Sequence, residues 1–306
     1  MHIVLFCATN RGLEFLLKLR ACCPDDELTV VSFREETWEP PFLDRIRCAA
    51  TEAGATFIER RNGSSQTSEL WTRPVDLAFM VSWRYLIPMH LLDRAKLGAV
   101  VVHDSLLPAY RGFSPTVWAM VNGEPECGAT MIHATAEVDA GDIIDQVRIA
   151  IAPDDVIATV MDRVTAGYLT MLERNIDLLK SGRAPRMRQD PKLATFTCKR
   201  TPGDNLIQWH HPLTRVHNLI RAVGRPYTGA FTFHNGAKLT VWKARIDASA
   251  RTFVGAIPGR VVEIRPGHGV VVLTGDGSLL VETVQPEGGP EVCAADLITS
   301  VSTQLG

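Results

Sequence analysis

Short apolar runs without interruption recur along the first part of the chain, and they limit the folds that it can adopt. Continuous β-branched runs are typical of strands buried on both faces of a sheet, because a strand with one exposed face alternates apolar and polar residues. Helical patterns, such as the leucines that follow Gly12, separate the runs. This alternation predicts an α/β fold with a doubly wound, mostly parallel, Rossmann-like sheet. The runs assigned to strands span residues 2–7, 28–33, 56–59, 77–81 and 99–102.

The same pattern continues further along the chain. Residues 128–134 and 147–151 are predicted strands. The acidic pair at 154–155 then opens an amphipathic helix that we expect to end near Leu179, because acidic residues stabilise the first turn of a helix. Residues 183–205 are rich in Arg, Lys, Pro and Gly, which is typical of a linker between domains.

Turn signals divide the last third of the chain into short β-rich segments. Asn-Gly, Pro-Gly and Asp-Gly pairs separate them, and short strands at such spacing indicate a small barrel. We therefore predict two domains, an α/β domain at residues 1–200 and a β-rich, OB-like domain at residues 201–306. The predicted strands of the second domain span residues 229–233, 238–244, 259–264, 269–273 and 279–284.

The composition narrows the function classes. With 32 Lys and Arg against 34 Asp and Glu, the formal net charge is −2, whereas a general nucleic-acid binder normally carries a basic excess. No apolar run approaches the roughly 18 to 20 residues of a membrane span. The seven cysteines are scattered and form no C-x-x-C pair, which favours reduced thiols over a disulfide framework or a zinc site. We expect a cytoplasmic protein with no membrane segment and no bound metal.

One histidine stands at an unusual place. His103 ends the buried run at 99–102 and precedes a loop bounded by Pro108 and Gly112. Ligands of open α/β sheets bind beyond the carboxyl ends of the strands. The chain has no G-x-G-x-x-G after its first strand and no G-x-x-x-x-G-K-[ST], so dehydrogenase and P-loop functions lack their usual phosphate cradle. A lone histidine is more often structural than catalytic, but this position favours catalysis.

A second polar element follows, in which Asp139 and Asp142 flank Gly141. One interpretation is a simple Asp/Gly turn, because glycine permits a tight backbone path. The other makes Asp139 the partner of His103, since a carboxylate beside an imidazole fixes its orientation and raises its basicity. The residues alone leave both interpretations open.

Together these motifs resemble the folate-dependent formyltransferase family, which includes methionyl-tRNA formyltransferase, glycinamide ribonucleotide formyltransferase and sugar N-formyltransferases. The pattern H-x-S-L-L-P-x-x-R-G begins at His103, and D-x-G-D-I-I begins at Asp139. The resemblance extends into the second domain through R-T-P-G-D at 200–204 and Y-T-G-A-F at 227–231, so it covers nearly the whole chain. The segment S-W-R-Y-L-I at 82–87 is most similar to the sugar-modifying branch.

The resemblance implies an enzyme that moves a formyl group from 10-formyltetrahydrofolate to the amine of an amino sugar or a related small molecule. It implies His103 and Asp139 as the catalytic pair. The implied folate pocket consists of Ser82, Trp83, Arg84, Tyr85, Leu86 and Ile87, with Asp139, Ala140, Gly141 and Asp142. We assign Asn10, Arg11, Ser105 and Arg111 to the acceptor side. Arg111 suits a phosphate because its planar fork binds bidentately, although a loop-bracing ion pair explains it equally well. A homodimer is a further expectation.

One position departs from the family pattern. The family's catalytic asparagine, two residues before the histidine, is replaced here by Val101, and losing one oxyanion donor costs about 10²- to 10³-fold in rate. Three explanations are open. Another donor, such as protonated His103, a backbone N–H, a water, Asn10 or Asn122, takes over; the transferred unit is a formimidoyl or carbamoyl group; or the protein binds without catalysis.

Two rival functions follow from these features. A methionyl-tRNA formyltransferase needs a basic face on its C-terminal barrel, yet residues 246–306 contain only Arg251, Arg260 and Arg265 as strong bases. Transfer RNA is therefore a minor alternative as acceptor. The second rival is a folate- or nucleotide-binding module without turnover, which Val101 motivates.

Overall fold

A computed structural model of the chain describes residues 1–60, 71–247 and 251–306. The chain divides into two compact units. The first contains Met1–Thr116, Glu126–Ala150 and Met161–Lys199, and the second contains Val117–Pro125, Ile151–Val160 and Arg200–Gly306.

The first unit is built on a seven-stranded sheet in the order β3-β2-β1-β4-β5-β7-β8, and a short parallel pair joins β6 to β9. Strands β1 to β5 are parallel to one another, and β7 and β8 are antiparallel to the strands that they pair with. The prediction of a mostly parallel, Rossmann-like sheet is therefore confirmed. The strands described are β1 (His2–Cys7), β2 (Glu27–Phe33), β3 (Thr56–Arg60), β4 (Leu77–Val81), β5 (Ala99–His103), β6 (Arg111–Gly112), β7 (Glu126–His133), β8 (Ile143–Ala150) and β9 (Phe196–Thr197).

The helices described up to residue 180 are α1 (Thr9–Cys22), α2 (Leu43–Glu52), α3 (Met89–Leu92), α4 (Pro115–Asn122) and α5 (Ile157–Lys180). Most of α4 belongs to the second unit, and most of α5 to the first. Apolar side chains at helical spacing bury one face of α5, for example Val164, Tyr168 and Met171, and such a stripe faces a core. The order of the strands reverses between β1 and β4. A reversal of this kind opens a crevice at the carboxyl ends of the strands, where ligands bind. A ligand site is therefore expected beside the carboxyl ends of β1, β4 and β5.

Two predicted boundaries are wrong. Helix α5 begins at Ile157 rather than at residue 154, because the Asp155 carboxylate accepts a hydrogen bond from the Ala152 N–H at 2.7 Å and so closes a turn before the helix. Strand β8 begins at Ile143 rather than at residue 147. Its polar first half, which includes Asp145, pairs with β7, and this pairing is a long-range contact that the local sequence does not reveal.

The predicted linker at 183–205 is not a free connection. Met187 and Ile143 exchange two backbone hydrogen bonds of 2.7 and 2.9 Å, and β9 pairs in parallel with β6. Residues up to Lys199 therefore belong to the first unit. The arginines and prolines of this segment resemble a linker in composition, but its backbone is used for pairing.

The second unit carries an antiparallel sheet in the order β10-β11-β14-β13-β12, with β15 beside β14. Asn235 and Gly236 both adopt positive φ, at 52° and 78°, and close the predicted Asn-Gly hairpin between β10 and β11. Bridges from His234 to Leu305 and from Arg260 to Gln304 bring the end of the chain between the two edge strands. A β-rich second domain is thus confirmed. Its elements are α6 (Leu213–Ala222), β10 (Ala230–His234), β11 (Ala237–Ile246), β12 (Val261–Arg265), β13 (Gly269–Leu273), β14 (Ser278–Pro286), β15 (Val292–Cys293) and α7 (Ala294–Leu297).

Two further predictions from the sequence are that the cysteines are reduced and that the chain has no membrane-spanning segment. All seven cysteines are free thiols, and burial raises the pKa of the Cys23 thiol to about 11. Among the described ranges, no helix combines the length and the apolar character that crossing a bilayer demands.

Candidate active site

Strained backbone marks one region of the first unit. Six non-glycine residues among those described adopt positive φ, which is uncommon for residues with a Cβ. Five of them lie in the segments that follow β1, β4, β5, β6 and β7: Thr9, which is the first residue of α1, Ser82, Tyr110, Ser114 and Asp139. Such strain persists only where the surroundings enforce it, and it concentrates at functional sites.

His103 and Asp139 meet in this region. His103 is the last residue of β5, and its side chain and that of Asp139 are 9% and 10% exposed, with 3.6 Å between His103 Nδ1 and Asp139 Oδ2. That distance is an ion-pair contact rather than a direct hydrogen bond, and catalytic hydrogen bonds are often long before substrate binds. The other ring nitrogen, Nε2, lies 2.9 Å from the Tyr110 carbonyl oxygen. The imidazole therefore lies between two oxygen acceptors, which fix the orientation of its ring.

The Asp139 loop is held by hydrogen bonds from two distant residues, Gly112 and Gln189. Asp139 adopts a φ of 55°, and its Oδ2 accepts the backbone N–H of Gly112 at 2.9 Å. Gln189 Nε2 donates to the carbonyl oxygens of Asp139 at 2.8 Å and Gly141 at 2.7 Å. Gln189 was not among the residues predicted from the sequence, because it lies in the segment that resembles a linker. Its burial and its position two residues after the Met187 pairing are visible only in the structure.

Arg111 braces the same loop. Its side chain is buried, with NH2 donating to Gln189 Oε1 at 2.8 Å and NH1 lying 3.1 Å from Glu137 Oε1. Its Nε has no partner among the described residues. Ser105 is also buried, and its hydroxyl donates to the Ala109 carbonyl oxygen at 2.7 Å. The geometry therefore favours the loop-bracing interpretation of Arg111, and Ser105 holds the turn that follows His103.

Gly141 permits the close approach that the loop requires. A Cβ at this position would lie 1.7 Å from the His133 carbonyl oxygen, so any side chain must push the loop away from β7. We expect Gly141→Ala to cost about 1 to 3 kcal/mol of unfolding free energy and, because Asp139 moves with the loop, to lower turnover by about 10²-fold. Urea denaturation and steady-state rates measure the two effects.

Gly167 provides the matched control for that substitution. It lies within α5, where a Cβ would meet Val147 at an ordinary 3.6 Å. Gly167→Ala is therefore expected to keep the rate and to hold or raise the stability, because alanine is the better helix former. Equal losses in the two variants would contradict the role assigned to the contact between Gly141 and His133.

Val101 lies on the same face of β5 as His103, because side chains alternate along a strand. It packs against the buried cluster of Leu107, Ile132 and Ile143. The wall beside the histidine is thus apolar where the family pattern has an amide. The Asn10 side chain, another candidate donor, accepts a hydrogen bond from Arg45 NH2 through its Oδ1 at 3.3 Å.

The predicted folate loop, Ser82 to Ile87, follows β4 at the same edge of the sheet. The Trp83 ring makes edge contacts with Phe6 and Phe33, at centroid distances of 5.2 and 5.3 Å. Arg84 pairs with Glu39 at 2.6 Å and stacks over Phe33 at 4.5 Å. Leu86 is 86% exposed at the tip of the loop. Aromatic contacts therefore fix the base of the loop, while its tip faces solvent.

The polar groups of this loop are free to bind a ligand. No described residue is a hydrogen-bond partner for the backbone N–H groups at positions 83 to 87. The indole Nε1 of Trp83 is buried and also has no partner among the described residues. Buried polar groups are normally paired, so this edge of the sheet suits a ligand that presents hydrogen-bonding atoms.

The remaining predicted residues are placed as follows. Asp142 lies 3.8 Å from Arg186 NH1, and its carbonyl oxygen accepts the His133 N–H at 3.0 Å. Burial lowers the pKa of His133, against the opposing effect of its hydrogen bond to the Pro185 carbonyl oxygen. Ala140 lies between Asp139 and Gly141 in the braced loop. Arg11 contacts Ser82, the first residue of the folate loop, at 3.1 Å.

Comparisons with known proteins agree with this geometry. The sequence-family model described as "Formyl transferase" matches residues 50–174, and "Formyl transferase, C-terminal domain" matches residues 199–302. The chain belongs to the formyltransferase family. The two matches together cover the main sheet from its third strand onward, His103, Asp139 and most of the β-rich unit, so the recognition based on sequence motifs is confirmed.

Solved structures share the fold of this formyltransferase. WlaRD, a sugar 3N-formyltransferase determined with dTDP and 5-N-formyl-THF, has 17% identity and a TM-score of 0.66, and the match covers 94% of this chain and 97% of WlaRD. The N-formyltransferase from Helicobacter canadensis, determined with folinic acid and dTDP-3-aminofucose, has 17% identity and a TM-score of 0.68, with coverage of 92% and 98%.

A longer protein also contains this fold. HypX from Aquifex aeolicus, determined with tetrahydrofolic acid, has 17% identity and a TM-score of 0.64, and the match covers 97% of this chain but 46% of HypX. The formyltransferase described here thus spans about half the length of the HypX chains that it matches.

Proposed function

We propose that this chain transfers a formyl group from 10-formyltetrahydrofolate to the amine of an amino sugar, most naturally one linked to a nucleotide. The observation that carries the proposal is the buried contact between His103 and Asp139. The pair lies on the sheet edge that also carries the Ser82–Ile87 loop. A histidine–carboxylate pair and a loop with unpaired polar groups, both beside the reversal in strand order, match the usual place of a ligand in this class of fold.

The loop fits a folate. A pterin ring is flat and has donors and acceptors along its edge, so it can pair with the free backbone N–H groups at positions 83 to 87 and lie against the aromatic residues at the base of the loop. Folates in the WlaRD, H. canadensis and HypX structures support the same donor class here. When bound, 10-formyltetrahydrofolate would supply an activated formyl group.

His103 and Asp139 then manage charge and protons. The Asp139 carboxylate, fixed by the Gly112 N–H, stabilises a protonated His103 and orients its ring. A protonated imidazole beside the formyl oxygen can stabilise the negative charge that builds there as the amine attacks. The same ring can exchange the proton that the amine loses. Because Val101 donates nothing, His103 carries more of this task than it would beside an asparagine.

The support for an amino sugar as the acceptor is more indirect. WlaRD and the H. canadensis enzyme were determined with dTDP or dTDP-3-aminofucose, and the S-W-R-Y-L-I segment resembles the sugar-modifying branch. Arg111 is buried and engaged by Gln189 and Glu137, so phosphate recognition would fall to other residues. The scarcity of basic residues at 246–306 disfavours tRNA.

A second candidate is the transfer of a related one-carbon unit, of formimidoyl or carbamoyl type. The apolar wall formed by Val101, Leu107, Ile132 and Ile143 favours the formimidoyl unit, because that group develops its charge on nitrogen rather than on oxygen. The same histidine–carboxylate pair would serve either reaction.

An acceptor panel tests both candidates. Purified protein is mixed with 10-formyltetrahydrofolate and with nucleotide-linked amino sugars that carry the amine at C3 or C4, a free amino sugar or methionyl-tRNA. We expect release of tetrahydrofolate together with a formylated sugar in the mass spectrum, and no product from tRNA. Parallel reactions with 5-formiminotetrahydrofolate and carbamoyl phosphate test the second candidate.

The outcomes separate the proposals. Turnover only with the formimidoyl or carbamoyl donor would replace the formyl-transfer proposal with the second candidate. Folate binding without turnover of any amine would leave a binding module. Formylation of methionyl-tRNA alone would overturn the small-molecule acceptor.

A further inference from the structure

Arg11, near the start of α1, is fully engaged by its neighbours. Its Nε donates to Ser82 Oγ at 3.1 Å, its NH1 to Met161 Sδ at 2.8 Å, and its NH2 lies 3.1 Å from Asp104 Oδ2. The side chain is only 11% exposed. Each of the three guanidinium nitrogens thus contacts the protein, and these contacts favour a structural role for Arg11 over the acceptor role that the sequence predicts.

Asp104 is fixed from the opposite side. Its Oδ1 accepts a hydrogen bond from the hydroxyl of Tyr168, a fully buried residue of α5, and that hydroxyl also lies 3.2 Å from the Val102 carbonyl oxygen. Asp104 directly follows His103 in the chain. The carboxylate therefore has one partner in the core and one at the sheet edge, and it connects Arg11 to the segment that carries the catalytic histidine.

Ser82 and Asp104, which the Arg11 guanidinium contacts through Nε and NH2, belong to two different loops of the site. Ser82 opens the loop that follows β4, and Asp104 opens the loop that follows β5. These strands are neighbours, with Val81 opposite Val102. We propose that Arg11 is a positioning residue that holds the Ser82–Ile87 loop in register with His103. This inference rests on the proposed function, because the loop is taken as the folate site.

The geometry explains why an arginine stands here. The guanidinium is a planar fork whose Nε and NH2 point in the same direction, so it can hold a hydroxyl and a carboxylate at a fixed separation. A lysine can neutralise Asp104, but its single ammonium on a flexible stem cannot hold a hydroxyl and a carboxylate in one plane at a fixed separation. Misplacing reacting groups by about 1 Å costs on the order of 10²-fold in rate, so the spacing between the loop and the histidine matters.

Arg11→Lys and Ser82→Ala test the proposal. Both keep a positive charge beside Asp104, and both remove the bridge. We expect each to weaken binding of 5-formyltetrahydrofolate by about 10-fold in calorimetric titrations, the equivalent of one hydrogen bond. We also expect a rise in the KM for the folate donor without a change in the KM for the amine. Arg11→Met removes the charge as well and is expected to lower the thermal midpoint.

Lys18→Met is the matched control. Lys18 in α1 pairs with Glu173 in α5 at 3.1 Å, so this variant removes another basic side chain that joins the same two helices. Folate affinity and both KM values should stay at the wild-type level. If Arg11→Lys binds folate as tightly as the wild type, Arg11 is only an ion-pair partner and the positioning role is wrong.

A measurement without ligand separates this inference from the proposed function. Trp83 lies within the loop, and its emission is obtained as the difference between each protein and the same protein with Trp83→Phe. We expect acrylamide to quench Trp83 more strongly in Arg11→Lys and Ser82→Ala than in the wild type or Lys18→Met. If the wild type binds no folate, the proposed function fails while this quenching still decides the role of Arg11. Unchanged quenching in both variants overturns it.

Discussion

Val101→Asn is expected to raise the rate of formyl transfer by about 10²-fold, with an upper bound near 10³-fold set by the value of a single oxyanion donor. The new amide would lie on the face of β5 that carries His103, where it can donate to the oxygen of the formyl group. Single-turnover kinetics with 10-formyltetrahydrofolate and the best acceptor of the panel measure the gain. The KM for each substrate should change little, because the donor acts on charge that develops in the transition state.

The apolar surroundings of Val101 predict that Val101→Asn also lowers the stability of the fold. The side chain packs against Leu107, Ile132 and Ile143, so an amide there loses water without a fixed partner, and we expect about 1 to 3 kcal/mol less stability. Val101→Leu is the control, since leucine has nearly the shape of asparagine and no donor. It should not gain rate.

A loss of rate in Val101→Asn equal to that in Val101→Leu would show that the apolar wall itself serves the reaction. A gain in the transfer of a formimidoyl or carbamoyl unit, with no gain for formyl, would favour the second candidate function. The substitution therefore discriminates between the explanations for the missing asparagine.

The elements that carry the site could be predicted because their signals are local. The buried run that ends at His103 and the Asp-Gly pattern around Asp139 are visible in a few consecutive residues, and strand-end logic places the histidine at the edge of the sheet. The Asn-Gly hairpin at 235–236 is local in the same sense. Each of these predictions needs no knowledge of which distant segments meet.

The contacts that shape the site could not be predicted, because they join residues far apart in sequence. Gln189 reaches the carbonyl oxygens of Asp139 and Gly141 from a segment that looks like a linker. The sequence places Arg11 in a polar turn after the first strand, and only the structure shows its guanidinium between Ser82 and Asp104. The composition of a segment indicates how polar it is, but it does not show which distant residues the segment pairs with.

His103→Ala is expected to lower kcat by about 10²- to 10⁴-fold, the range for a positioned acid or base. The fold should persist, because the Asp139 carboxylate keeps its hydrogen bond from Gly112 and the Tyr110 carbonyl can be hydrated in the cavity that remains. Circular dichroism and the affinity for 5-formyltetrahydrofolate should therefore stay close to the wild type. His268→Ala is the control, since that side chain is exposed in the hairpin between β12 and β13.

Asp139→Asn supplies the second half of this argument. An asparagine can still accept the Gly112 N–H, so the loop keeps its course, but the charge that stabilises a protonated His103 is lost, and we expect about a 10²-fold fall in kcat. Residues that act as one unit are strongly non-additive. The double variant should thus be no slower than His103→Ala alone. Multiplicative losses would mean that the carboxylate acts on the substrates directly rather than through the imidazole, and wild-type rates in both single variants would remove the pair from the reaction altogether.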